Sequence, residues 1–272
     1  MIDRTAIETF RESVWGFYAA NARDLPWRHQ LPDGSYDPYP VLVSELMLQQ
    51  TQVNRVIPKF TEWMQRFPSI SSLAAVQLGE VLRLWSGLGY NRRAKYLWEA
   101  ALAIERRHGG VIPNEERELT ALPGIGKNTA GAILAYAYNR PVIFIETNIR
   151  TVLFHHFYKN QAGVSDAQLA ELMEQVADMD HPREWYWALM DYGAHLKRVR
   201  GGLNTLSKHY HKQSEFSGSR RQLRGAVLRA LGKQSWSRSE LEALMPDERL
   251  PAVLDSLQTE GLIRFEGGTY RL

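Results

Sequence analysis

Apolar residues recur at three- and four-residue spacing along most of the chain, as in Phe60-Trp63-Met64-Phe67 and Val81-Leu82-Leu84-Trp85. That period gathers them on one face of a helix. Strand-like alternation is scarce before residue 260. Prolines at 26, 38, 40, 58, 68, 113, 123, 141 and 182 interrupt the pattern at short intervals, and each favours a helix start or stop. The pattern predicts an all-α bundle of many short helices, with no internal repeat.

The character changes between Lys197 and Arg224. Eight Lys or Arg residues stand there against one acid, Glu215, beside Gly201-Gly202 and the run Ser217-Gly218-Ser219. This reads as a basic connector. After it the periodicity predicts a helix over Gly225–Leu231. Ser237 with Glu240 three residues later is a capping-box signal for a second, and a third runs over Leu250–Glu260. The runs Leu262–Glu266 and Thr269–Leu272 flank Gly267-Gly268 and predict a β-hairpin. Three helices and a terminal hairpin point to a small winged-helix-like (α+β) domain, a DNA-binding shape that serves equally well as a protein contact.

Two helix-like stretches, Glu115–Ala121 and Lys127–Tyr138, are joined by Leu122-Pro123-Gly124-Ile125-Gly126. Side-chain-free glycines let the backbone approach another surface. The N–H groups opening the second helix form an anion site, next to Lys127 and Thr129. On DNA that anion is a phosphate, held without regard to sequence. The same five residues also suit a plain structural turn.

Glu45 is the one acid in the apolar run Val41–Leu48. Burial there raises a carboxyl pKa and suits a general acid, whereas a solvent-facing or Arg-paired glutamate fits as well. Glu146 closes the apolar run Val142–Ile145, with Thr147 and Asn148 as candidate caps of a helix that begins there. A cap or dipole role competes with a catalytic one. Gln49, Gln50 and Thr51 follow the Glu45 helix with side chains able to meet base edges. Tyr90, on a glycine-flanked loop, suits wedging between bases or core packing. Arg92, Arg93 and Lys95 suit phosphates. His155-His156, and His209 with His211, lack zinc-ligand spacing.

Composition removes several classes of chemistry. The 272 residues contain no cysteine, which excludes disulfides, thiolate catalysis and Cys-held metal clusters. No apolar run is long enough for a membrane span, and the first residues lack a signal-peptide pattern. A cytoplasmic, nucleoid-associated protein is therefore the expectation of the sequence. The net charge of +3 is compatible with a polyanionic partner.

Four segments together resemble the helix-hairpin-helix DNA glycosylases, and most closely the MutY-type adenine glycosylases. They are Ser44-Glu45-Leu46-Met47-Leu48-Gln49-Gln50-Thr51-Gln52-Val53, Gly87-Leu88-Gly89-Tyr90, Leu122–Gly126, and Met190-Asp191-Tyr192-Gly193-Ala194. Leu25-Pro26-Trp27-Arg28 matches as well, so the likeness spans about residues 1–196. It implies a monofunctional DNA N-glycosylase, a hydrolase of N-glycosyl bonds acting in base excision repair. Its substrate would be double-stranded DNA, its state monomeric, and the base most in keeping adenine opposite 8-oxoguanine or guanine. A mismatch uracil or thymine glycosylase of the same fold, or a non-catalytic duplex-binding module, are the alternatives.

Carried over residue by residue, Glu45 is the general acid, Glu146 stabilises positive charge on the sugar, and Asn148 supports it. Gln49 and Tyr90 match residues that wedge into the duplex; Gln50, Thr51, Arg92, Leu122, Gly124, Gly126, Lys127 and Thr129 are expected beside them as DNA contacts from their own chemistry, and a monovalent cation at the hairpin is compatible with that. Departures are plain. Glu146 stands where the family has Asp, and Asn128 where lyase-active relatives carry a catalytic Lys, so little strand-cutting is expected. The iron–sulfur loop is missing, with Lys197 near its first cysteine position. The expected organisation is a glycosylase core over residues 1–210, made of subdomains 29–136 and 1–28 plus 137–210. A linker (211–221) and the winged-helix-like domain (222–272) follow.

Overall fold

The computed structural model describes residues 2–158, 161, 163–201, 206–208 and 215–272. Gly202, His209, His211 and residues 211–214 of the expected linker lie outside the described residues. The chain forms two compact units: Met1–Val41, Asn114–Thr120 and Ile125–Lys212 make one, and Leu42–Pro113, Ala121–Gly124 and Gln213–Leu272 the other.

The first unit contains α1 (Arg4–Asn21), a single 3-10 turn (Pro26–Arg28) and the start of α2 (Pro38–Leu48). It also holds α7 (Glu116–Thr120), α8 (Lys127–Tyr138), α9 (Thr147–Phe157), α10 (Asp166–Val176) and α11 (Pro182–Arg200). Its centre is α11, which packs against α9, α1 and α8. Trp185 and Tyr186 are fully buried there. Phe10 meets the Trp185 ring edge-on at 5.8 Å, and Phe144 stacks on Tyr186 at 4.1 Å. Asp191 of α11 is buried, yet its charge is answered. Arg28 Nη2 and Arg23 Nε donate to Asp191 Oδ1 at 2.8 and 2.6 Å, and Arg28 Nη1 donates to Oδ2 at 2.9 Å. A buried carboxylate demands such partners, because losing one side of the pair costs about 3–5 kcal/mol. The Leu25–Arg28 segment and the Asp191 segment, far apart in sequence, are thus one structural feature.

The second unit carries the remainder of α2 with α3 (Val53–Arg66), α4 (Ile70–Ala74), α5 (Leu78–Trp85) and α6 (Arg92–His108). The expected apolar stripes form its core. Trp63 and Trp85 cross edge-to-face at 5.6 Å, and Phe60, Phe67, Leu73, Leu82 and Leu97 close around them. Ala94, Ala100 and Ala101 on α6 let α4 and α5 approach closely. The C-terminal part has α12 (Arg220–Leu231), α13 (Arg238–Leu244), α14 (Leu250–Thr259), β1 (Arg264–Glu266) and β2 (Thr269–Arg271). The strands pair antiparallel across Gly267-Gly268, with Phe265 opposite Tyr270. Ser237 and Glu240 form the anticipated capping box. The first of these helices begins earlier than Gly225, because Ser219 Oγ accepts from the Gln222 N–H at 3.3 Å and caps it. A serine just inside a basic run is enough to start the helix there.

Glu260 ties this C-terminal part to the rest of its unit. Its carboxylate receives Arg224 at 2.6 Å and Arg92 at 2.9 Å. Burial pushes this carboxyl up. Hydrogen bonds from Arg92, Arg224 and Ser256 outweigh that and hold it at about 2.

Candidate active site

In the first unit, residues 128, 146, 148 and 197 come together. Glu146 is the N-cap of α9: its Oε1 accepts the N–H groups of Asn148 at 2.7 Å and Ile149 at 3.4 Å. Of the roles left open in the sequence, Glu146 takes that of the cap, and Thr147 and Asn148 lie inside the helix. Both offer side-chain acceptors, but the chain enters the helix one residue earlier, so the carboxylate reaches the open N–H groups. Oε2 of Glu146 has no hydrogen-bond partner among the described residues. Asn128, in the first turn of α8, donates from Nδ2 to the Ile145 carbonyl at 2.7 Å, one residue before Glu146. Lys197 Nζ donates to Asn148 Oδ1 at 2.7 Å. Burial lowers the Lys197 ammonium below the usual lysine range, the Glu146 charge opposes that, and Arg150 adds to it. Gly193 of α11 touches this group from behind. A Cβ placed there would sit 2.3 Å from the Asn148 carbonyl oxygen.

The hairpin has a different character. Gly124 has φ +77, and a Cβ on it would fall 2.6 Å from Tyr96 Cβ, so only glycine fits without strain. Gly126 caps α8 with no side-chain hydrogen bond and faces open space. Gly124, Gly126, Lys127 and Asn128 are exposed and Thr129 is half-buried, whereas Leu122 is buried and offers only its backbone. Glycine exposed at the start of α8 leaves the first N–H groups of the helix without a side-chain cap.

In the second unit, Glu45 lies on α2 between buried Ser44 and Leu46 but is itself half-buried. Of the two readings left open for Glu45, the structure favours the solvent-reached one: the side chain is half-buried, and it is not without an interaction partner. Gln49, Gln50 and Thr51 form the turn that follows, and Tyr90 stands on the next loop, 38% exposed. Gln50 and Tyr90 both have left-handed backbones, φ 54 and 45. Such strain costs on the order of 1–3 kcal/mol per residue and collects where function demands it.

Arg93 holds both loops in place. Its guanidinium is buried and donates to the carbonyls of Leu46, Met47 and Gln49 at 2.8, 2.8 and 2.6 Å. It also reaches Thr51 Oγ1 at 3.0 Å and the Gly89 carbonyl at 3.1 Å. Burial brings its pKa down to about 10. The expectation that Arg93 meets phosphates is therefore overturned: it satisfies the last carbonyls of α2. Lys95 is likewise engaged, donating to the Glu260 carbonyl at 2.5 Å. Arg92 is exposed but ion-paired with Glu260.

Residues 43–178 match the model of the HhH-GPD superfamily of base excision DNA repair proteins. A relative from Mycolicibacterium smegmatis, named adenine DNA glycosylase, is 35% identical over 272 residues, covering 91% of this chain and 90% of that one. The chain belongs to the HhH-GPD superfamily. A second adenine DNA glycosylase, from Buchnera aphidicola, is 36% identical over 187 residues, and the match spans about half (52%) of its length. Among solved structures, a thermostable thymine-DNA glycosylase superposes with a TM-score of 0.63 at 24% identity, covering 74% of this chain and 95% of that one, which shows the shared fold.

This HhH-GPD protein does not have the donors for a cysteine-held cluster: the sequence contains no cysteine. Near the first expected cluster position, the Lys197 ammonium is spent on Asn148. Among the described residues no group of three or more His, Asp or Glu is placed to hold a metal, and no helix is long and apolar enough to cross a membrane. Sequence reasoning missed the inward aim of Arg93 and the Lys197–Asn148 bond. It also missed Arg221, whose Nη1 donates to the Tyr90 hydroxyl at 2.7 Å. The basic run is a signal for Lys197 and Arg221; nothing local separates Arg93 from Arg92.

Proposed function

We propose that this chain is a monofunctional adenine DNA glycosylase that removes adenine opposite 8-oxoguanine or guanine from double-stranded DNA. The observation that carries the reading is Glu146. One oxygen is locked onto the N-terminus of α9 while the other takes no partner among the described residues. A fixed carboxylate with a spare oxygen suits a positive charge developing on a neighbouring sugar. Membership of a base excision repair superfamily says which sugar: a deoxyribose in DNA.

In this mechanism the flipped nucleotide needs an acid for its base and a carboxylate for its sugar. Glu45 protonates the departing purine, the N-glycosidic bond breaks with its electron pair leaving on the base, and Glu146 stabilises the oxocarbenium-like sugar until water adds at C1′ and its proton is lost to a carboxylate or to solvent, Glu45 regaining a proton for the next turnover. Asn128 has no amine to form a Schiff base, so the strand stays intact. Asn148 is held by Lys197 and supports Glu146. Gln49, Gln50, Thr51 and Tyr90 enter the duplex where the base departs. Leu122, Gly124, Gly126, Lys127 and Thr129 hold phosphate, a cation at the hairpin being compatible with that role, and Arg92 contributes once released from Glu260. The core takes residues 1–210, and residues 222–272 form the winged-helix-like domain. The molecule acts as a soluble monomer in the cytoplasm.

A single-turnover assay on duplexes carrying A·8-oxoG, A·G, G·U, G·T and hypoxanthine, followed by alkali, tests the reading. Release from the A·8-oxoG and A·G duplexes is expected. Release only from G·U or G·T would make it a mismatch uracil or thymine glycosylase, and no release alongside tight duplex binding would make it an inert DNA-binding module.

Lys197 is a positioning residue in this scheme. Its lowered ammonium should give base release an alkaline limb below the ordinary lysine range, because losing the proton weakens the hold on Asn148. Lys197→Arg should remove that limb. Lys197→Met should slow release about tenfold across the pH range, the kinetic equivalent of one charge-assisted hydrogen bond. An unchanged alkaline limb in the arginine variant counts against this role.

A further inference from the structure

The second unit carries a half-open cleft of about 1290 Å³ between the Gly87–Arg93 loop and α12. Nine Lys or Arg side chains line it against a single acid, Glu260. Arg92 and Arg224 neutralise that acid, and Arg93 is turned into backbone carbonyls. Arg55, Arg83, Arg220, Arg229 and Lys233 pair with no carboxylate among the described residues. Like charges facing one cleft repel, and that cost persists unless an anion enters; a wall of one sign also focuses the field that draws the anion in.

The rest of the lining says what kind of anion. Tyr90, with Arg221 donating to its hydroxyl at 2.7 Å, and the exposed ring of Phe216 supply flat apolar faces. Gln49 and Gln50 supply amides on the same wall. Guanidinium forks match phosphate oxygens in pairs, and aromatic faces accept stacked bases. A small inorganic anion uses neither the volume nor the rings.

We propose that this cleft is a second DNA-backbone site, in which α12 and the Gly87–Arg93 loop together grip phosphates beside the point where Gln49 and Tyr90 enter the duplex. The C-terminal residues thereby become part of the DNA grip rather than an appended stability module. The placement beside the wedge rests on the proposed function; the charge and its confinement do not.

The test uses the full chain and a labelled, undamaged DNA duplex, with dissociation constants measured across a salt series. The slope of log affinity against log salt falls by about 0.9 for each phosphate that is no longer neutralised. The triple variant Arg83→Gln, Arg220→Gln, Arg229→Gln should lower the slope by about two to three. The triple Lys variant at the same positions should keep the parent slope. An unchanged slope in the Gln variant overturns the site, and so does an equal fall in both variants, which marks a packing role. A fall seen on an RNA duplex but not on DNA overturns it too. Because the duplex is undamaged, failure of base release in the five-duplex assay leaves this result standing, and an unchanged slope leaves the glycosylase reading standing.

Discussion

Glu45→Gln should slow base release severely while the protein still folds and binds duplex DNA. The substitution keeps the side chain's length and its capacity for hydrogen bonds and removes only the proton-donating acid. Glu45 is half-buried on α2, flanked by the buried residues Leu42, Val43, Leu46 and Met47. An isosteric amide keeps the packing against them, so the variant should still fold. General acid catalysis is worth roughly a 10²- to 10⁴-fold rate factor, and the single-turnover rate should fall by about that much. Duplex affinity should hold or rise slightly, since the change removes at most one negative charge and no cation that meets phosphate. Release at the parent rate from a folded variant removes Glu45 as the acid and leaves the mechanism without a proton donor for the base.

Gly193→Ala is the second large effect, and it acts through packing. Gly193 lies on α11 where that helix meets α9. An added Cβ would stand 2.3 Å from the Asn148 carbonyl oxygen and 2.7 Å from its carbon. These are backbone atoms, so no rotamer change relieves the clash and the two helices must part. Overpacking of this kind costs about 1–3 kcal/mol, and displacing the first turn of α9 moves Glu146 and Asn148 with it. A misplacement of about 1 Å in a catalytic group costs on the order of 10²-fold in rate. The variant should therefore melt earlier and release base far more slowly. Gly16→Ala is the contrast: it lies in α1 with nothing within 4 Å of the new methyl. It should leave the rate alone and stabilise by about 0.4–1 kcal/mol through the unfolded chain. If Gly193→Ala melts and reacts like Gly16→Ala, the α9–α11 packing does not hold the site.

Much of the fold was legible because its signals are local. The helix over Lys127–Tyr138 begins and ends at the expected residues, since a glycine turn opens it and Asn139 in a left-handed conformation closes it. The Ser237–Glu240 capping box and the Gly267-Gly268 hairpin needed only a few neighbouring residues. The family resemblance named Glu146, Asn148 and Asn128 as belonging to one site, and the structure brings them together in the first unit. Their roles rest on the proposed chemistry.

Other features depend on which surfaces meet, and no short window of residues records that. Arg92 and Arg93 are adjacent and of one kind, yet Arg92 is exposed and pairs with a carboxylate while Arg93 is buried against oxygens of α2, of the turn after it and of the Leu88–Tyr90 loop. A helix turns about 100° between neighbours, so one residue of difference decides between solvent and core. Lys197 meets Asn148 across 49 residues, and Arg221 meets Tyr90 across 131. By itself the sequence determined where helices start and stop, which residue types are available, and that no cysteine chemistry exists. Only the tertiary structure decided where each charge points, because a cation's energy is set by the groups that replace its water, and those come from distant parts of the chain.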